Sequence, residues 1–171
     1  MAKVRTLSGN AVKFAAPPVA HPSSMEFIRE HVEKCERKLR EGDDRGAITN
    51  ARSLCEEVLI DIERQLDPNA ASFDGDLVKL YKRVRKLLHM EPSDYDKDGS
   101  VAQLLRGLVT IIDGVAGLSN TLGDRHGGGQ KPKPHHAMLV VNAANTLCSF
   151  VSTSFELQKG KAGKAKPTSA A

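Results

Sequence analysis

The sequence predicts an all-α fold, a bundle of about five helices, and three observations predict it. Apolar residues recur at helical spacing in five separate stretches, and no strand pattern competes with them. Aromatic residues make up only 4% of the chain and Trp is absent, so the core must come from Leu, Ile, Val, Ala and a few Phe. The first two stretches are separated by about two residues at Gly42, a break that implies an antiparallel helical hairpin.

Each element follows in chain order. Residues 1–23 hold no sustained period and contain Pro17, Pro18 and Pro22, which reads as a flexible N-terminal arm. Ile28, Val32, Cys35 and Leu39 mark a first helix from about Ser24, capped by Ser23 or Ser24 and stopped at Gly42. Asp43 or Asp44 caps a second helix. Its broad stripe of Ala47, Ile48, Ala51, Leu54, Cys55, Val58, Leu59 and Ile62 ends near Leu66 and Pro68. A shorter third helix runs from about Asp76 to Leu88, with Leu77, Leu80, Tyr81, Val84, Leu87 and Leu88 facing inward.

The interval from Glu91 to Gly99 is turn chemistry. Asp94, Asp96 and Asp98 alternate as in a calcium loop, but the closing twelfth position is Leu105, which cannot supply the bidentate carboxylate. A fourth helix carries the longest stripe: Val101, Leu104, Leu105, Leu108, Ile111, Ile112, Val115, Leu118 and Leu122. Its interior Gly107, Gly114 and Gly117 weaken it and suggest a close helix approach. Gly123 suits a left-handed cap. A fifth helix spans about His135 to Leu157, with Met138, Val141, Ala144, Leu147, Cys148, Val151 and Phe155 inward. The resulting organisation is an arm over 1–23, a helical domain over 24–158, and a basic, disordered tail over 159–171.

The totals bound the function. A chain of 171 residues with 40% hydrophobic and 27% charged residues has globular composition and the size of one domain. The net charge of +4 is concentrated at the ends and in one loop, at Lys3, Arg5, Lys131, Lys133, Lys159, Lys161, Lys164 and Lys166. Such a tail raises general affinity for nucleic acid, or only solubilises. Cys35, Cys55 and Cys148 are odd in number, far apart and at apolar positions, which reads as core thiols in a reducing compartment rather than a disulfide framework. No apolar run of membrane-span length and no signal-peptide core stand out, so a soluble cytoplasmic protein without membrane contact is expected.

The chemistry gathers at the exit of the fourth helix, in Ser119–Asn120–Thr121–Leu122–Gly123–Asp124–Arg125–His126–Gly127–Gly128–Gly129. His126 follows the helix C-terminus, whose carbonyls favour a protonated imidazole, and Arg125 adds a fork suited to phosphate oxygens. Glycines would let a ligand approach the backbone. Lys131, Lys133, His135 and His136 complete the polar set. The same residues also describe a plain helix C-cap followed by a loop. A phosphate loop of the strand-to-helix kind is excluded, because no strand precedes the glycines and no Gly-Lys-Ser/Thr follows. No cofactor or metal is expected. Arg52 and Glu56 on the second helix could face the junction or form an ion pair one turn apart.

The run from Ala47 to Glu56 resembles the abortive-infection-protein-like C-terminal domain family. So do Asp76–Lys82, Gly107–Leu108, Gly117–Leu118, Asn120–Gly127 and His136–Ala144, over roughly residues 25–158. That domain is similar in turn to the HEPN superfamily of phage-defence and toxin bundles. The resemblance implies a homodimer that acts on RNA without metal, through an Arg–polar–His motif. Carried over, His126 takes the His position and Asn120 the polar position, while Ser119 stands where Arg is expected and Arg125 lies beside His126. Two functions follow from the resemblance. One is a metal-independent endoribonuclease with a degenerate motif, using His126, Arg125 and Asn120, with Ser119, Asp124, Gly127, Gly128, Lys131, Lys133, His135 and His136 at the substrate. The other is a non-catalytic helical module that binds nucleic acid, a nucleotide or a protein partner.

Overall fold

The computed structural model describes residues 22–95, 99–123 and 131–164. They form α1 (Pro22–Arg40), α2 (Asp44–Leu66), α3 (Leu77–Leu87), α4 (Ser100–Leu122) and α5 (Pro134–Lys164), with a single 3-10 turn at Pro92–Asp94 before α4. No strand occurs among the described residues. The all-α prediction holds, helix for helix.

Local sequence explains most boundaries. Asp43 caps α2, its carboxylate accepting from the Gly46 amide at 2.9 Å, and the Lys38 ammonium donates to the same carboxylate at 2.5 Å. Gly42, at φ +75, makes the left-handed step between α1 and α2 that a side chain would resist. Asp76 caps α3 by accepting from the Lys79 amide at 2.9 Å. α1 starts at Pro22, slightly before the expected Ser24, because proline lacks only an amide hydrogen that a first helical turn leaves unpaired anyway.

α2 is the axis of the bundle and packs against each of the other four helices. α1 and α5 cover one side of it, and α3 and α4 the other. The core is correspondingly built on α2: Ala47, Ile48, Ala51, Leu54, Cys55 and Leu59 are all at most 1% exposed. Val84 and Tyr81 of α3, Ile112 of α4, and Ala144, Leu147 and Val151 of α5 close around them. Each fully buried Leu or Ile contributes about 1.5–3 kcal/mol relative to exposure.

Several expectations are corrected. The buried face of α4 is Ala102, Leu105, Ile112, Val115, Ala116 and Ser119, whereas Val101 and Leu104 are 52% and 72% exposed. A Cβ placed on Gly107, Gly114 or Gly117 would meet nothing within 4 Å, so these glycines serve no close approach within the chain. Gly123 ends α4 with an ordinary φ of −77 and extended ψ, not with a left-handed cap. α5 continues to Lys164 instead of ending near Leu157, entering the stretch read as tail, and Met138 on its first turns is 44% exposed. Ser100–Leu122 and Pro134–Lys161 do reach membrane-spanning length and apolarity, contrary to the sequence reading, yet both pack as walls of the bundle.

Candidate functional site

Arg52 is the centre of the site. It sits in the apolar stripe of α2, one turn after Ile48 and just before Cys55, and is only 5% exposed. A guanidinium carries five N–H donors and no acceptor, so burial there requires several oxygens. Four are present. Nε donates to Glu56 Oε1 at 2.6 Å, and Nη2 donates to the Gly75 carbonyl at 2.7 Å. Nη1 donates to Ser119 Oγ at 3.1 Å and to Asn120 Oδ1 at 2.6 Å. One side chain thus clasps the end of α4, the loop before α3, and its own helix.

The clasp dictates what each partner can still do. The Ser119 hydroxyl accepts from Arg52 and donates to the Ala116 carbonyl at 2.9 Å, and the residue is 3% exposed. It is a positioning group whose hydrogen bonding is used on both sides. Asn120 is exposed. Because a guanidinium only donates, the amide oxygen must face Arg52, which leaves the Asn120 –NH2 with two donors that meet no partner among the described residues. The Arg52–Glu56 pair is close to neutral as a unit, so the clasp supplies geometry more than net charge.

Gly123 then brings the chain hard against α2. Its amide donates to the Ser119 carbonyl at 3.2 Å, and an added Cβ would lie 2.5 Å from that oxygen and 3.1 Å from Thr49 Oγ1. Asp124, Arg125, His126, Gly127 and Gly128 lie outside the described residues. Past that loop, Lys131, Lys133 and His135 are exposed and His136 is half-buried, the two imidazoles meeting edge to face with centroids 4.2 Å apart. No hydrogen bond or ion pair joins these four residues to Asn120 or Ser119 among the described residues.

The structure therefore brings together Ser119 and Asn120 with Arg52, which faces the junction as expected and also forms the one-turn ion pair with Glu56, and it adds Gly75 and Thr49 to them. Arg52 had a detectable signal, a cation at a core position of an amphipathic stripe. The carbonyl of Gly75 had none, since nothing in a sequence announces which backbone oxygen a distant side chain will find. Two surface grooves lie elsewhere, one of about 390 Å³ by Phe27, Glu57, Asp61 and Phe155, the other of about 550 Å³ by Arg64, Pro68 and Phe73. Neither is lined by Arg52 or Asn120.

Comparison with known proteins gives one family. The model of the HEPN-like domain matches residues 26–155, which takes in all five helices and the clasp. No curated protein and no solved structure matches the chain.

Proposed function

This chain belongs to the HEPN-like domain family, of the abortive-infection type, and we propose that it engages RNA in the cytoplasm at the exit of α4, as a homodimer. The observation that carries the reading is the Arg52 clasp on Ser119 and Asn120. It puts a guanidinium against the position where the family motif has its Arg, reaching from α2 instead of growing from α4. The exposed Asn120 amide donors, with Arg125 and His126 within a few residues, form a set that can bind a phosphodiester. His126 is the group suited to take the 2′-hydroxyl proton, while Asn120 and Arg125 offset charge on the phosphate.

The dimer reading rests on α4. Leu104, Gly107, Ile111, Gly114 and Leu118 follow the alternating spacing of three and four residues that a helix-to-helix seam uses. Leu104 is 72% exposed and the glycines face open space, so within one chain this seam is largely uncovered. A second copy laid along it would bring two α4 exits into one assembly.

A second reading has its own support. Four of the five Arg52 N–H donors are directed at protein oxygens, which leaves the clasped cation little with which to grip a transition state. That favours a module that binds RNA without cutting it. Labelled tRNA incubated in EDTA with the wild type, His126→Ala and Ser119→Arg separates the two. Cleavage by the wild type that His126→Ala abolishes establishes the ribonuclease. Retained RNA binding without cleavage, with cleavage gained in Ser119→Arg, establishes the binding module. No RNA binding by the wild type would refute the proposal.

A further inference from the structure

We propose that the outward face of α3 is a track for the phosphate backbone of single-stranded RNA, leading to the clasp; the inference rests on the RNA reading above. α3 (LVKLYKRVRKL) holds five cations and no acid in eleven residues. Its inward face is Leu77, Leu80, Tyr81 and Val84, all at most 1% exposed. Lys79, Lys82 and Lys86 lie on the opposite face and are exposed, spaced so that they cover about 10 Å along the axis.

Folding alone does not account for this row. α1 and α2 both mix acids with bases along their exposed faces, while α3 segregates one sign. Lys82 and Lys86 stand one turn apart, a like-charge spacing that destabilises a helix, and Lys79 in the first turn opposes the helix dipole. Carboxylates answer three of the five cations. Asp74 meets Lys79 at 2.6 Å, Glu63 grips Arg83 at 2.6 and 2.8 Å, and Glu91 meets Arg85 at 2.7 Å. No carboxylate within ion-pair distance answers Lys82 or Lys86 among the described residues, which leaves two surplus cations side by side.

Position supplies the second argument. The loop that starts α3 is bonded through the Gly75 carbonyl to Arg52, and Arg52 holds Asn120. The row therefore begins at the clasp and runs away from it on a helix packed against α4. A polyanion touching Asn120 has this row of cations beyond the exposed Asp74 and Asp76 that flank Gly75. A flexible single strand suits it, since an exposed 2′-hydroxyl is what the chemistry at His126 requires.

The test measures binding of a fluorescent oligouridylate across a salt series by wild type and Lys82→Gln/Lys86→Gln. A second variant, Lys34→Gln/Arg37→Gln, removes the same charge from exposed positions on α1. The track predicts that the slope of log K against log salt loses about 1.4 in the α3 variant, with affinity roughly tenfold lower near 150 mM salt, and is unchanged in the α1 variant. An unchanged slope in the α3 variant would overturn the track while leaving engagement at His126 intact. An equal loss in both variants would reduce the effect to whole-chain charge and overturn it as well. Displacement of the oligouridylate by polyglutamate at equal charge would overturn it by showing a face for acidic polypeptide. If the wild type binds no oligouridylate, the RNA reading falls and the track falls with it.

Discussion

A guanidinium that is 5% exposed can be kept only where enough oxygens meet it, and Arg52 meets oxygens from three separate parts of the chain. Removing it leaves Glu56, whose side chain is 13% exposed, without its partner, and frees both Asn120 and the Gly75 loop. Arg52→Ala should therefore cost about 2–4 kcal/mol, somewhat below the range for fully buried pairs because Glu56 keeps some water. Arg52→Lys should recover part of this, since a point charge cannot bridge three directions at once. Urea unfolding of both, with Arg52→Ala/Glu56→Ala beside them, checks the assignment. A loss under about 0.5 kcal/mol in Arg52→Ala would show the clasp to be incidental. The residue scale is also where the sequence was least legible. The polar crowd at Ser119–His126 was visible as a run of hydrogen-bonding types at a helix exit. That Ser119 points inward to a cation 67 positions away was not, because such pairing is fixed by the packing of α2 on α4 and by nothing local.

At the scale of elements, the five helices were legible because each carries apolar residues at helical spacing, and α2 and α3 open on the capping carboxylates Asp43 and Asp76. α4 was misread for a physical reason. A helix that is apolar almost all round does not disclose which side meets the core, so Val101 and Leu104 were placed inside. The glycines of that helix were assigned a close approach that does not occur within the chain, and the uncovered seam offers one outside it. This yields opposite expectations for fold and assembly. Gly107→Ala/Gly114→Ala adds methyl groups that touch nothing in the monomer, so the monomer should gain roughly 0.5–1 kcal/mol per site from helix propensity. In the dimer proposed above, the same methyls would hold the second helix away, so it should dissociate more readily, about tenfold or more. Gly117→Ala, off the seam but equally open, should stabilise without weakening association. Thermal unfolding at low concentration and sedimentation equilibrium read the two effects separately. Stabilisation with unchanged association in the seam variant would move the dimer interface elsewhere.

For the molecule as a whole, stability depends on a core in which α1, α2 and α5 each place a buried thiol, at Cys35, Cys55 and Cys148. Cys55 and Cys148 are in contact, with Sγ atoms 3.8 Å apart. The hydrogen bond between them, together with burial, pushes the Cys148 thiol well above its ordinary value, and burial pushes Cys35 to about 11. Burial likewise pushes the Tyr81 hydroxyl up to about 12. These groups are acids held neutral in the folded state, so their folded values exceed their unfolded ones. The Cys35 contribution is complete below the unfolded value of 9.0 and is lost as pH rises through about 11, and that of Tyr81 is lost between 10.0 and about 12. Each such group removes up to about 1.4 kcal/mol per pH unit across its window. Asp43 works in the opposite sense. The Lys38 hydrogen bond holds its carboxyl below the usual range, so its contribution is present above the unfolded value of 3.8 and fades as pH falls further. With Asp43 42% exposed and the thiols buried, the thiols outweigh it and the alkaline side should be the steeper. Urea midpoints under reducing conditions should stay level from pH 7 to about 8.5 and then fall sharply. Cys35→Ala, which removes one ionisable group from the core, should start lower because of its small cavity and then decline less steeply. Parallel decline of the two proteins above pH 9 would show that the Cys35 thiol takes no part in alkaline unfolding.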